Sequence, residues 1–189
     1  GTTVELTQGH LDLAGARVRV IDTPGTNSLS PSSDDERVTR DVLLGSEPRA
    51  VLLVGDAKNV ERTLFLALQL AEMELPLVVA LNMWDEATER GLNIDTVALG
   101  GALGIEAVPT VAIRREGLDS LRHALSAPRR GAARIAYPAP IEQAIAAMLP
   151  FLPAGSIAAR AFALLVLGGD ETFRAALGQR IGESAFAVI

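Results

Sequence analysis

The chain has 189 residues, 49% of them apolar and 21% charged, with a net charge of −6. That balance suits a soluble globular segment with material for one ordinary domain or two small ones, and it excludes a broad electrostatic attraction to nucleic acid. With no cysteine, disulfides, thiolate catalysis and sulfur-built zinc sites are excluded, and no apolar run approaches the roughly 18 residues that span a bilayer.

Residues 2–13 alternate loosely, Leu13-Ala14-Gly15-Ala16 supplies a turn, and residues 17–21 form a second strand, which together predict an antiparallel hairpin. The second strand ends at Asp22-Thr23-Pro24-Gly25. Residues 26–35 are rich in Ser, Pro, Asn and Asp and read as a mobile loop. Asp34 or Asp35 is expected to cap a helix that runs to about Leu44. Residues 50–54 and 77–81 are continuous apolar runs, as in strands buried on both faces. Between them, residues 61–73 place Leu64, Leu68 and Ala71 at helical spacing. A helix over 94–103, a third strand over 107–112 and a helix over 118–125 follow. This alternation specifies a mainly parallel sheet with helices on both faces.

The pattern changes near Ala127. Pro128-Arg129-Arg130-Gly131 reads as the start of a linker, and residues 141–149, 157–167 and 172–181 are helical stretches separated by Pro150, Pro153 and Gly168-Gly169. The expected division is an α/β domain over 1–127, a linker over 128–136 and a helical domain over 137–189. The first residue is Gly1 and the closing SAFAVI has no polar tail, so both ends read as cuts through a longer polypeptide.

Ligands of open α/β sheets sit beyond the carboxyl ends of the strands, and three polar motifs fall there. An Asp at position 22 is placed to hold Mg²⁺ through bound water, and Gly25, lacking a side chain, lets its N–H approach a terminal phosphate. The same string also reads as a capped turn. In Asn82-Met83-Trp84-Asp85, a carboxylate can accept from N1–H and the exocyclic amine of guanine, a donor pair adenine lacks, and the Asn amide can meet N7 and tie neighbouring loops together. Taken alone, this string also fits a helix start. In Pro109-Thr110-Val111-Ala112, an N–H near Ala112 is placed to donate to guanine O6. The order of the three, each after its own strand, points to nucleotide binding.

The succession GTTVE, DTPG, DERV, GDAKNVERTLFLALQLAEMELPLVVALNMWDEA, GLNID and VPTVA resembles the G domain of the bacterial ferrous iron transport protein B family. Its Asn-Met-x-Asp, in place of Asn-Lys-x-Asp, stands here as Asn82-Met83-Trp84-Asp85. The stretch RAFALLVLGGD over 160–170 is similar to the arginine-led helix of that family's cytosolic helical domain. The resemblance implies a P-loop GTPase-type α/β fold, with a mainly parallel sheet and an antiparallel edge hairpin, followed by a small all-α domain. It implies GTP or GDP and Mg²⁺ as ligands. Thr3 matches the switch I threonine that coordinates Mg²⁺, Asp22 and Gly25 match switch II, and Asn82 and Asp85 match the guanine readers. Met83 replaces the Lys whose stem covers the base, and Val111 and Ala112 match the O6 loop. The parent it implies is a GTPase-controlled Fe²⁺ transporter, its soluble part at the cytoplasmic face of the bacterial inner membrane. Its partner there is the membrane-embedded part of the same polypeptide, and a homo-oligomer of the parent is left open.

The chain also departs from the family pattern. G-x-x-x-x-G-K-[ST] occurs nowhere, and Gly55-Asp56-Ala57-Lys58 lacks the second Gly and the hydroxyl. In the family the phosphate loop and the strand before it lie upstream of Thr3. The fold is therefore expected to lack that strand between residues 18–21 and 51–54, leaving two sheet edges unpaired. These 189 residues alone are expected to bind and hydrolyse GTP poorly. Val111 stands where the family usually has Ser. Thr26 follows Gly25 where Ras-type enzymes carry the water-positioning Gln, so no catalytic residue is assigned. The rival expectation is a non-enzymatic regulatory or scaffolding module that has lost nucleotide hydrolysis. His10, His123 and the Arg114-Arg115-Glu116 cluster read as structural or surface residues, and Trp84 as packing.

Overall fold

A computed structural model describes residues 6–26, 28–29, 33–152 and 157–181. The hairpin is formed by β1 (Thr7–Leu13) and β2 (Ala16–Asp22), antiparallel from Thr7 opposite Asp22 to Leu13 opposite Ala16. Ala14 and Gly15 both have positive φ, 50° and 79°, the mirror-image turn whose twist matches a two-residue hairpin. Beyond it, α1 (Asp34–Gly45) begins at Ser33, whose hydroxyl accepts from Glu36 N–H at 3.2 Å. The cap is thus Ser33 rather than Asp34 or Asp35, which lie inside the first turn.

The main sheet contains β3 (Val51–Asp56), β4 (Pro76–Asn82) and β5 (Glu106–Pro109), parallel and in that order. Crossing between the first two is α2 (Val60–Glu72). After β4 come α3 (Trp84–Glu89) and α4 (Thr96–Leu103), and α5 (Leu118–Ser126) follows β5. The stretch read as a linker adds a two-residue strand, β6 (Arg129–Arg130), antiparallel to the start of β4. It then runs into α6 (Ala139–Met148), α7 (Ala159–Leu167) and α8 (Glu171–Ile181).

As the apolar run predicts, β4 is buried along almost its whole length. By contrast, β3 has only Val51 buried, and Leu52 and Val54 are 39% and 61% exposed. The difference lies in their neighbours: among the described residues β3 pairs with β4 alone and β2 with β1 alone. Val20 of β2 is exposed as well. Where β3 meets α2 the approach is close, because any side chain at Gly55 would collide with Thr63.

One core cluster joins α2, β3 and β4 through Leu66, Leu70, Val51, Leu77, Val79 and Leu81, and takes in Ala161 and Leu165 of α7. A second, over Ile145, Met148, Ala163, Val166 and Leu177, holds α6, α7 and α8 together. Polar contacts cross between the sheet layer and these helices. Arg40 of α1, 4% exposed, pairs with Asp170 (5%), whose other oxygen accepts from Thr172 and Phe173 N–H at the start of α8. At the end of α2, Glu72 is buried and accepts from Tyr137 O–H at 2.8 Å and Ile135 N–H at 3.2 Å. Arg160 forks onto Glu142 at 2.6 and 2.7 Å. That pairing, followed by the Tyr137 N–H, holds the Glu142 carboxyl down at about 2, and it pushes the Arg160 guanidinium up. Burial and the hydrogen bond to Glu72 push the Tyr137 phenol up to about 12.

Candidate functional site

The carboxyl ends of the parallel strands form one rim, because β3 and β4 end in register with Asp56 opposite Asn82. At the end of β4 the chain turns sharply. Met83 adopts a left-handed conformation, φ 59° and ψ 37°, and α3 starts at the next residue. An unbranched side chain tolerates this geometry at some cost. The turn puts Asp85 in the first turn of α3, where the positive end of a helix favours a carboxylate. Trp84 is partly buried against the main core. Its N–H donates to Thr110 O at 3.2 Å, while Thr110 N–H donates to Leu81 O at 2.9 Å, so the loops after β4 and β5 are tied directly.

Asn82 strengthens that tie. Its Oδ1 accepts from Ala112 N–H at 3.0 Å and from Thr110 Oγ1 at 3.3 Å, and its Nδ2 donors have no partner among the described residues. The Ala112 N–H, expected to meet guanine O6, is thus held by Asn82 in this arrangement. Val111 is 5% exposed, and its N–H and carbonyl are closed on Glu116 at 3.1 and 3.2 Å. The third strand ends at Pro109 rather than running to Ala112, and residues 112–114 form a 3-10 turn. In its first turn Ile113 N–H has no intrahelical acceptor. Gly117, at φ 79°, closes the turn so tightly that a side chain there would meet the Pro109 carbonyl.

The same turn carries Arg114, read from the sequence as charged surface, whose Nη2 lies 3.2 Å from Asp85 Oδ2. The Asp85 side chain is 19% exposed, that of Arg114 56%. A charged run followed closely by a glycine signals a tight return, which is the clue that would have brought Arg114 back to the rim.

At the other end of the rim, Asp22 closes β2 and is exposed, its side chain with no ion-pair or hydrogen-bond partner among the described residues. Gly25 is exposed, with open space about its Cα. A cavity of about 220 Å³ is lined by Thr26 together with Leu53, Gly55, Asp56, Asn59 and Thr63. Thr26 therefore sits beside the residue paired with Asn82, which puts the loop after Asp22 on the same rim. Leu29, in the stretch read as mobile, is 3% exposed and its N–H donates to Gln69 Oε1 at 2.8 Å. Thr3 lies outside the described residues.

The Gly55–Lys58 stretch is a helix cap and not a phosphate cradle. Asp56 accepts from Lys58 N–H at 2.8 Å and from Asn59 Nδ2 at 3.0 Å, and the Lys58 ammonium reaches Glu86 at 2.5 Å. The only lysine in the chain is thus spent on carboxylates.

The topology and this rim define the class: an α/β domain of the P-loop GTPase type with its edge hairpin, followed by a helical unit. Comparison with known proteins agrees. A family model for ferrous iron transport protein B matches residues 1–125. The Fe(2+) transport protein A/Fe(2+) transporter FeoB fusion protein of Porphyromonas gingivalis is 38% identical over 196 residues, taking in 95% of this chain and 23% of that protein. The Fe(2+) transporter FeoB of Escherichia coli is 37% identical over 129 residues, 66% of this chain and 17% of that protein. Among solved structures, the cytosolic domain of the T. maritima FeoB iron transporter in its GMPPNP form superposes with a TM-score of 0.85 at 33% identity, covering 99% of this chain and 80% of that one. The cytosolic domain of L. pneumophila FeoB gives 0.81 at 29% identity over 95% of this chain and 80% of that one. The chain belongs to the ferrous iron transport protein B family. It spans about a quarter or less of the length of the curated relatives it matches.

Proposed function

We propose that this chain is the guanine-nucleotide-responsive part of a bacterial Fe²⁺ transporter, with Asn82 and Asp85 reading the base. The observation that carries the reading is the way Asn82 divides its amide: the oxygen holds the neighbouring loop, so the nitrogen is left to donate to guanine N7. Asp85, fixed in the first turn of α3, accepts from N1–H and the exocyclic amine. With Ala112 N–H engaged, the O6 donor is the N–H of Ile113. The thioether of Met83, 41% exposed, covers the base face where a Lys stem would otherwise lie. The solved T. maritima relatives in GMPPNP and GDP forms support a guanine nucleotide here.

Asp22 suits Mg²⁺: it is an exposed carboxylate whose side chain has no partner among the described residues, and a hard cation that keeps several waters needs only one or two such ligands beside the phosphates. Thr3 supplies the second oxygen, and the ion would neutralise charge on the phosphates. Asp22 and Gly25 form the loop that senses the terminal phosphate. GTP hydrolysis belongs to the intact parent. These 189 residues contain no Gly-Lys-[ST] loop and spend Lys58 elsewhere, so alone they bind GTP weakly. Among the described residues no helix is long and apolar enough to cross a membrane. The transport path lies in another part of the parent, at the inner membrane, and α6, α7 and α8 relay the nucleotide state towards it.

In the full-length protein, Asp85→Asn should exchange preference for GTP for preference for xanthosine triphosphate. The GTP loss should be about ten- to a hundredfold, the range of one charged hydrogen-bond set. An unchanged preference would show that Asp85 does not read the base.

A further inference from the structure

Asp85 is four-fifths buried, and the guanidinium of Arg114 lies 3.2 Å from it. A buried carboxylate without a partner is costly, so in the absence of a base something must satisfy it. A guanidinium presents two N–H groups side by side to a carboxylate. Guanine offers the same pattern through N1–H and its exocyclic amine. The two donors therefore compete for one acceptor.

We propose that Arg114 is a placeholder for guanine: it pairs with Asp85 while the site is empty and must be displaced for the base to bind. The proposal rests on the base-reading role of Asp85 given above. Its carrier is well placed for the exchange. Arg114 sits in a three-residue 3-10 turn, its side chain is 56% exposed, and its only ion pair among the described residues is the one with Asp85. It can swing into solvent at little cost. Ile113, whose N–H is assigned to O6, is the preceding residue, so one short turn carries both a donor to the base and the competitor for its reader. The device lowers affinity for the whole nucleotide without loosening the phosphate end, and it speeds release, because Arg114 takes over Asp85 as the base departs.

The test measures fluorescent GDP binding and release in the full-length protein. Arg114→Ala and Arg114→Gln should each tighten GDP by about two- to fivefold, the range of a largely exposed ion pair, with the gain appearing mainly as slower release. In an Asp85→Asn background, which takes xanthosine diphosphate, the same substitutions should leave affinity for that nucleotide unchanged. Unchanged or weaker GDP binding in both single variants overturns the proposal, and so does tightening that persists in the Asp85→Asn background. If Asp85→Asn fails to switch base preference, the guanine reading itself falls and takes this proposal with it. If the switch occurs and the Arg114 variants bind as before, only the placeholder role is lost.

Discussion

Asn82 builds the rim through its oxygen, and on the proposed reading its nitrogen meets the base. An Asp in its place would lose both Nδ2 donors and set a charge against the Ala112 N–H and the Thr110 hydroxyl. Met83 next to it adopts a backbone conformation that few long side chains take up, φ 59°, and that strain is what aims α3 and Asp85 at the rim. The base-reading expectation for Asn82 and Asp85 comes from the order of three motifs, because Asn-x-x-Asp taken alone also fits a helix start. The placement of Arg114 beside Asp85 was not legible, since it depends on a 3-10 turn that replaces the end of an expected strand.

Farther from the rim, Glu142 is the residue whose environment makes a pH prediction. Its carboxyl is held at about 2 against the ordinary 4.5, first by the Arg160 guanidinium and then by the Tyr137 N–H. A folded-state value below the unfolded one stabilises the fold fully above about pH 4.5, and that contribution disappears as the pH falls towards about 2. Urea denaturation across this window should find stability falling more steeply in the wild type than in Glu142→Gln. Equal slopes would mean the pair is not maintained in solution.

At the level of elements, α1 connects the loop after Asp22 to the helical unit. Thr39 donates to the Pro24 carbonyl at 2.9 Å, and the next residue, Arg40, pairs with Asp41 and with buried Asp170 at the start of α8, its guanidinium 6.0 Å from the Phe173 ring. Removing one member of a buried pair leaves a charge without compensation, which costs about 3–5 kcal/mol. Arg40→Ala should therefore lower the unfolding free energy by about 3 kcal/mol or more in urea titrations. A loss below about 1 kcal/mol would place the pair among solvated surface contacts. The existence of α1 was readable from its composition, but its contacts were not. Arg40 and Asp170 are 130 positions apart, and nothing local marks either as a partner. The same holds for β6: a Pro-Arg-Arg-Gly stretch reads as linker, and only the start of β4, at Pro76 and Leu77 where β5 does not reach, makes it a strand.

Taken as a whole molecule, the chain holds two sheets that do not join among the described residues, with the apolar side chains of Val20, Leu52 and Val54 exposed on β2 and β3. The apolar run over 50–54 correctly marked a strand. Burial on both faces did not follow, because burial depends on what lies beside a strand and not on its own residues. Parallel order, the edge hairpin and the helical tail were all legible, since period and punctuation along the chain encode them. The proposed ligand spans both sheets, with Asp22 at the end of one and Asn82 at the end of the other, so its phosphate end is held by fewer groups here than its base.

An amide-shift titration of the 189-residue chain with GDP tests that central claim most directly. The account predicts shifts in the Asn82 side-chain amide, the Ile113 N–H and the first turn of α3, developing without saturation in the micromolar range. Shifts confined to another face, with these groups unmoved at saturation, would contradict it.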